Sequence, residues 1–234
     1  MSWSVERDGA IAYVSYDNPP ENRLPFRAVR EFDERLQEVA QDNVVKVVAI
    51  RSKVAGFFSA GGDLADIRQL IAGGSPSAPF DSWIFALLRL EEMPQPTVAL
   101  IDGLAASGGF ELSLACTFRL GTPSAEFALR EVSAGALPGG GATQRLPRIL
   151  NIPLASEIIL TGRTIGAEEA ARIGLLQALL PDTAGFAEWL ERLTKMPRAS
   201  LIAAKRAIVD GSRVPLMEGL RLEQRLFQDI VRQR

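Results

Sequence analysis

The sequence contains no histidine and a single cysteine, Cys116. Without histidine, Ser-His-Asp and Cys-His catalytic centres and the common zinc sites are excluded. One cysteine excludes an intramolecular disulfide and is typical of a reducing compartment, so we expect a cytoplasmic protein. Cys116 lies in an apolar helical stretch, where it is expected to be a small core residue. Acid–base chemistry near neutral pH must therefore come from carboxylates, Lys, Tyr or Cys.

Several other features are also missing. No apolar run reaches eighteen residues, so we expect no membrane span, and the first residues lack the basic and apolar parts of a signal peptide. The net charge is −2, without the basic face that nucleic-acid binding requires. The sequence shows no carboxylate cluster suited to a metal ion, which predicts metal-independent activity. No repeat or low-complexity tract is visible.

The 234 residues suffice for one large domain, or one domain with an appendage, and a 47% hydrophobic content allows a sizeable core. Short β-branched segments alternate with segments of helical periodicity up to about residue 181, which favours an α/β fold. Beyond that point the pattern is helical. The Gly-, Ser- and Pro-rich segment 73–79 is predicted to be a mobile loop. Predicted strands are 11–16, 44–51, 97–101, 118–120, a short one at Phe127, and 178–180. Predicted helices are 26–40, 64–71, 80–92, 108–115, one from about Thr143, 154–161, 167–173, 186–195, 198–209 and 216–231.

Three glycine-rich segments with neighbouring carboxylates are the most informative part of the chain. They are Phe58–Leu64 (FSAGGDL), Ala105–Leu112 (AASGGFEL) and Leu137–Leu146 (LPGGGATQRL), the last preceded by Glu131. Glycine lets the backbone approach a ligand closely, so two such turns can direct two N–H groups at one oxygen. An isolated Gly-Gly pair is more often a tight turn before a helix. Glu111 and Glu131 are candidates for proton transfer beside that oxygen.

These segments, in this order, resemble the enoyl-CoA hydratase/isomerase (crotonase) superfamily, and the resemblance extends from about residue 10 to 227. It implies a spiral of strand-strand-helix turns over residues 1–185 and a helical C-terminal region, 186–234, used for oligomerisation. Members of the family are commonly homotrimers or dimers of trimers. The resemblance further implies an acyl-CoA thioester substrate, so coenzyme A is part of the substrate and no separate cofactor is expected.

The resemblance assigns roles to four residues. The backbone N–H groups of Gly62 and Gly108 match the family's oxyanion hole, which holds the thioester oxygen. Glu111 and Glu131 match its two catalytic glutamates. A simpler reading of Glu111 is a first-turn helix charge, but its neighbours Phe110 and Leu112 are apolar. Glu131 alone would be read as a loop charge or a partner of Arg130; an inward-facing Arg130 would lower the pKa of Glu131 and weaken an acid role.

Around these residues, the resemblance places the coenzyme A moiety next to Ala60, Gly62, Asp63 and Leu64. From the sequence itself, Asp63 is the expected cap of the helix at Leu64. Candidate contacts of the coenzyme A phosphates are Arg23, Arg27 and Lys53, each also readable as a plain surface charge. The acyl group is expected near Ile67, Leu70 and Trp83.

The best-supported expectation is an enoyl-CoA hydratase, which adds water to a trans-2-enoyl-CoA to give a 3-hydroxyacyl-CoA. A double-bond isomerase, or another enolate-forming reaction on a coenzyme A or carrier-protein thioester, remains open. So does a non-catalytic acyl-CoA binder. Family members generally continue for another helix after the position of Gly219. We therefore expect the apolar stripe of 216–231 to pack on a neighbouring subunit, and the acyl end of the site to be open or covered by that subunit.

Overall fold

The computed structural model describes residues 2–73 and 81–232. Its strands are β1 (Ser2–Asp8), β2 (Ile11–Asp17), β3 (Val47–Ser52), β4 (Gly56–Ser59), β5 (Thr97–Ile101), β6 (Gly103–Ala106), β7 (Phe118–Gly121), β8 (Glu126–Ala128), β9 (Ile165–Gly166) and β10 (Ala178–Leu179). Its helices are α1 (Phe26–Ala40), α2 (Leu64–Ile71), α3 (Asp81–Glu92), α4 (Gly108–Leu114), α5 (Ala142–Ile149), α6 (Ile152–Thr161), α7 (Ala167–Arg172), α8 (Ala184–Thr194), α9 (Arg198–Gly211) and α10 (Leu216–Arg232). The predicted α/β class is confirmed, because strands and helices alternate as far as β10.

The larger sheet has six strands in the order β1-β2-β3-β5-β7-β10. Only β1 is antiparallel to its neighbour, and the other pairs are parallel. Parallel strands are usually covered on both faces, and β3 and β5 accordingly contain the fully buried apolar runs 47–50 and 98–101. On one face, α1 buries Val29, Phe32, Leu36 and Val39, which recur at helical spacing. On the other face, α8 contributes Phe186 and Leu190.

The smaller sheet has the order β4-β6-β8-β9. Strands β4, β6 and β8 are parallel, so their carboxyl ends lie at the same edge. The sequence analysis did not predict β1, β4, β6 or β9. Strand β6 is Gly-Leu-Ala-Ala, which lacks both β-branched residues and a period of two, and its extended form depends on pairing with β4 and β8. This sheet edge carries the glycine-rich turns.

The other predicted elements are present, with ends shifted by a few residues. The predicted strand 44–51 begins three residues later, at Val47, because Val44 is exposed in the connection from α1. Cys116 is buried, as expected. The predicted loop 73–79 lies, after Gly73, outside the described residues. Within the described part of the chain, no helix is long and apolar enough to span a membrane.

Candidate active site

Two backbone turns meet at the carboxyl edge of the smaller sheet. Strand β4 is followed by the turn Gly61-Gly62, and β6 is followed by Ser107-Gly108, where α4 begins. Because β4 and β6 are paired in parallel, the two turns lie side by side. A Cβ atom added to Gly108 would lie 3.6 Å from the backbone nitrogen of Gly62. The structure therefore brings together the two glycines that the sequence analysis selected.

The N–H groups of these glycines are free and rigidly held. The peptide unit that carries the Gly62 N–H is anchored through Gly61 O, which accepts a hydrogen bond from Leu24 N at 2.8 Å. The peptide unit of the Gly108 N–H is anchored through Ser107 O, which accepts from Glu111 N at 3.0 Å. Neither glycine N–H donates to another atom of the described residues. Two fixed donors without partners can bind an oxygen that becomes negatively charged.

Close packing explains why this turn is rich in glycine. A Cβ at Gly109 would overlap the backbone oxygen of Ser59, so α4 can approach β4 only if this residue is glycine. Ser107 itself has φ 50° and ψ −123°, a conformation unusual for a residue with a side chain. Strain of this kind is held in place by surrounding structure, here by the Ser107 N–H bonded to Ala128 O at 2.8 Å.

Glu111 lies in the first turn of α4 and is 3% exposed. Its Oε1 accepts hydrogen bonds from Gly140 N at 2.7 Å and Ala142 N at 3.1 Å. Burial raises the pKa of Glu111 to about 7, and the negative charge of Glu131 adds to the increase, while the two backbone donors and Arg145 oppose it. A carboxyl group with this pKa can give or take a proton near neutral pH.

Gly140 and Ala142 belong to the third glycine-rich segment, where α5 begins. The N-terminal N–H groups of a helix have no partners within the helix, and here two N–H groups at the start of α5 bind the carboxylate of α4. Arg145, one turn into α5, donates to Gly140 O at 2.8 Å and pairs with Glu91 of α3 at 2.9 Å. The segment thus orients the Glu111 carboxylate.

Glu131 follows β8, and its negative charge contributes to the raised pKa of Glu111. Burial raises the pKa of Glu131, opposed by a backbone N–H and the Ser107 hydroxyl. Its Oε2 is buried and has no hydrogen-bond partner in the described residues. The neighbouring Arg130 is exposed, so the sequence-based concern that it lowers the pKa of Glu131 does not apply.

The residues expected around coenzyme A form the turn between β4 and α2. Asp63 caps α2, as predicted, since its Oδ1 accepts from Ala65 N at 2.8 Å and Asp66 N at 3.2 Å. Leu64 is exposed. The carbonyl groups of Ala60 and Gly62 accept from Arg23 Nη1 at 3.3 and 3.2 Å.

The other contacts expected from the sequence are those of the coenzyme A phosphates and of the acyl group. Arg23 also pairs with Glu21, and Lys53 is paired with Glu6 at 2.6 Å, so both of these phosphate candidates have protein partners. In the expected acyl region, Ile67 Cδ1 lies 3.0 Å from the position of an added Gly62 Cβ. The side chain of Leu70 lies outside the described part.

Sequence reasoning missed two features of the site. It predicted a helix start at Gly139–Gly141, but did not predict that the N–H groups of Gly140 and Ala142 donate hydrogen bonds to the Glu111 carboxylate. It also gave no role to Ser107, because a serine carries no sequence signal for the unusual backbone conformation that it adopts here. Within residues 2–73 and 81–232, no group of three or more acidic or cysteine side chains is arranged to hold a metal ion.

Comparison with protein families gives a match to the family described as enoyl-CoA hydratase/isomerase over residues 6–234. Among characterised proteins, the chain is 35% identical over 219 residues to human mitochondrial methylglutaconyl-CoA hydratase. That match covers 90% of this chain and 64% of the human protein's length. It is 33% identical over 230 residues to a probable mitochondrial enoyl-CoA hydratase 2 of Arabidopsis thaliana, covering 96% of this chain and 75% of that protein.

Among solved structures, the fold matches the enoyl-CoA hydratase of Bacillus anthracis with a TM-score of 0.91 and 29% sequence identity. The match covers 99% of this chain and 92% of the bacterial one. The two mixed sheets and C-terminal helices are thus the crotonase-like architecture that the sequence resemblance implied.

Proposed function

Because the chain belongs to the enoyl-CoA hydratase/isomerase family, we propose that it adds water to a trans-2-enoyl-CoA to give a 3-hydroxyacyl-CoA. The observation that carries this proposal is the presence of a buried and a partly buried carboxyl group, both with raised pKa, together with two free backbone N–H groups. Glu111 and Glu131 supply the first pair, and Gly62 and Gly108 the second. A hydratase needs both pairs, since it must move two protons and stabilise one oxygen that becomes negatively charged.

In the proposed reaction, the Gly62 and Gly108 N–H groups bind the thioester oxygen. Ionised Glu111 accepts a proton from a water molecule as its oxygen attacks C3 of the substrate. The electrons of the C2–C3 double bond move toward the thioester, and charge collects on the oxygen held by the two N–H groups. Protonated Glu131 then gives its proton to C2. Transfer of a proton from Glu111 to Glu131 through the next water restores the starting state.

The carboxyl groups suit these roles for physical reasons. Burial destabilises the ionised form of both, and two neighbouring negative charges repel, so near neutral pH the pair favours sharing one proton. The charge of Glu111 is stabilised by two backbone donors and Arg145, and that of Glu131 by a backbone N–H and the Ser107 hydroxyl. Burial raises the pKa of both groups, so either can carry the shared proton, and the proposed mechanism uses the state in which Glu131 carries it as the acid and Glu111 is the base.

We expect Glu111→Gln and Glu131→Gln each to lower hydration at least about 100-fold while the protein remains folded, because each removes one proton-transfer group. Loss of absorbance of the enoyl thioester would be followed with crotonyl-CoA and with methylglutaconyl-CoA. The control is Glu126→Gln, an exposed glutamate on the same strand that leads to Glu131. Near-normal turnover in both active-site variants, with circular dichroism unchanged, would rule out the two-glutamate mechanism.

The same experiment separates the alternatives. An isomerase moves a proton between C2 and C4 with one carboxyl group, so Glu131→Gln alone would abolish its activity. A non-catalytic binder would bind acyl-CoA without turnover in the unmodified protein. A preference for carrier-protein thioesters would appear as faster turnover than with the coenzyme A substrate.

We further propose that the turn Ala60–Leu64 borders coenzyme A, and that residues 186–234 form the contacts of a homotrimer or dimer of trimers. Support for the second proposal comes from α10, in which no described side chain is buried and several large apolar residues are exposed. An exposed apolar surface of this size is typical of an interface between subunits.

A further inference from the structure

Two polar atoms from different helices converge on one point beside Gly140. A Cβ atom added to Gly140 would lie 2.5 Å from Oε2 of Glu111 and 2.6 Å from Nε1 of Trp83. Both atoms therefore lie against the Cα atom of Gly140, in the space that a side chain at residue 140 would need, and they are no more than about 5.1 Å apart. A single oxygen atom can form hydrogen bonds to two polar atoms at that separation.

Both atoms are available for a ligand. The other oxygen of Glu111, Oε1, already accepts two backbone N–H groups, but Oε2 has no partner in the part of the chain that the structure describes. The Trp83 N–H likewise donates to no atom of the described residues. The indole ring is partly buried against the main core, and its centroid lies 6.4 Å from that of Phe32, so its direction is fixed by packing.

A hydrogen-bond donor and an acceptor around one point are complementary to a hydroxyl group or a water molecule, which accepts from one and donates to the other. We propose that Trp83 is a further catalytic residue whose indole N–H donates a hydrogen bond to the oxygen that is added to C3 of the substrate. The hydrogen of the same oxygen points at Oε2 of Glu111. This inference rests on the proposed function and adds a third protein group at the reacting oxygen.

Trp83 keeps its own proton throughout. In hydration, the indole orients the water while the O–C3 bond forms and the water proton passes to Oε2. In the reverse direction the C3–O bond breaks, and the leaving oxygen gains negative charge until Glu111 returns the proton. A neutral N–H aimed at that oxygen stabilises it without competing for the proton.

Binding measurements test this directly with Trp83→Phe, which keeps an aromatic ring against Phe32 but removes the N–H. Affinities for 3-hydroxybutyryl-CoA and butyryl-CoA would be measured by calorimetry. We expect the variant to bind the hydroxyacyl thioester about fivefold more weakly and the saturated thioester equally well, as for one lost hydrogen bond. Trp189→Phe is the matched control, since Trp189 lies in the second core cluster, edge-on to Phe118 at 5.2 Å.

Kinetics give a second readout. Trp83→Phe should lower the kcat of hydration about tenfold. Exchange of the C2 proton of butyryl-CoA with deuterated water should be unchanged, because it needs only Glu131 and the two glycine N–H groups. Equal weakening of both thioesters, no weakening of either, or no binding of 3-hydroxybutyryl-CoA by the unmodified protein would overturn the assignment. A protein that shows the Trp83-dependent preference but no hydration would retain the assignment and refute the proposed function.

Discussion

At the scale of single residues, the environment of Glu111 decides the chemistry. A glutamate in water is ionised well below neutral pH, whereas burial, with a smaller contribution from the charge of Glu131, raises the pKa of this one to about 7. The charge is tolerated only because two N–H groups at the start of α5 bind one oxygen. The residue is therefore a source of reactivity and also of instability.

Because the pKa of Glu111 is higher in the folded than in the unfolded protein, we expect Glu111→Gln to stabilise the protein at alkaline pH. The folded-state pKa of Glu111 is raised, so its favourable contribution is complete below the pKa of the unfolded chain and is lost as the pH rises through about 7. Glutamine cannot ionise, and its oxygen can still accept from Gly140 and Ala142. Above pH 7 the variant should have a free energy of unfolding higher than the unmodified protein by on the order of 1–3 kcal/mol.

The measurement is denaturant unfolding of both proteins at about pH 5 and pH 8.5, where the difference between them should grow with pH. Glu126→Gln, at an exposed position, should show no such pH-dependent difference. An unmodified protein that is more stable than Glu111→Gln at the higher pH would contradict the raised pKa.

At the scale of elements, α4 begins with two adjacent glycines, and the absence of a side chain has a different consequence at each of them. Gly109 allows close packing on β4, where any Cβ would overlap Ser59. Gly108 has no such clash, since its added Cβ would be 3.6 Å from Gly62 N, an ordinary contact distance. That Cβ would instead stand next to one of the two N–H groups of the proposed oxyanion hole.

The same substitution at these neighbouring positions should therefore have opposite effects. We expect Gly108→Ala to fold with a nearly unchanged melting temperature and to lose about tenfold or more in kcat, because the methyl group crowds the thioester oxygen. Gly109→Ala should lower the free energy of unfolding by about 1–3 kcal/mol, because α4 must move away from β4. Thermal melting and turnover of the pair decide between these outcomes. Equal effects on both quantities at both positions would show that the two glycines share one role.

At the scale of the whole molecule, α10 packs mainly on α9. Its partly buried residues Leu222, Leu226 and Ile230 recur at helical spacing, and Gly219 approaches Gly211 closely. The remaining large apolar side chains of the helix are exposed, including Leu216, Leu220 and Phe227. The apolar stripe noted in the sequence is thus divided between a partner within the chain and a surface that a second subunit could cover.

The oligomer proposal predicts a light-scattering mass of three or six times the 25.4 kDa chain. Leu220→Glu together with Phe227→Glu should shift the mass toward a single chain, because two charges would be buried at the interface. Val44→Glu is the control, an apolar residue before β3 that is about as exposed as Phe227. A single-chain mass for the unmodified protein would refute the proposal.

The sequence by itself determined the fold class and most helices, and it supplied the candidate residues of the proposed site. Helices such as α1 carry their own periodicity, and the absence of histidine directed attention to Glu111 and Glu131. The short strands β4 and β6 could not be predicted, since their pairing is non-local and their sequences carry little strand preference.

Only the tertiary structure decided how the site residues act on one another. Three of its contacts join segments far apart in the chain: Gly62 with Gly108, the start of α5 with Glu111, and Trp83 with Gly140. The exposure of Arg130 is likewise set by the fold. The physical reason is that a pKa and a free N–H depend on burial and on neighbours in space. A sequence names the groups present, but packing sets their distances.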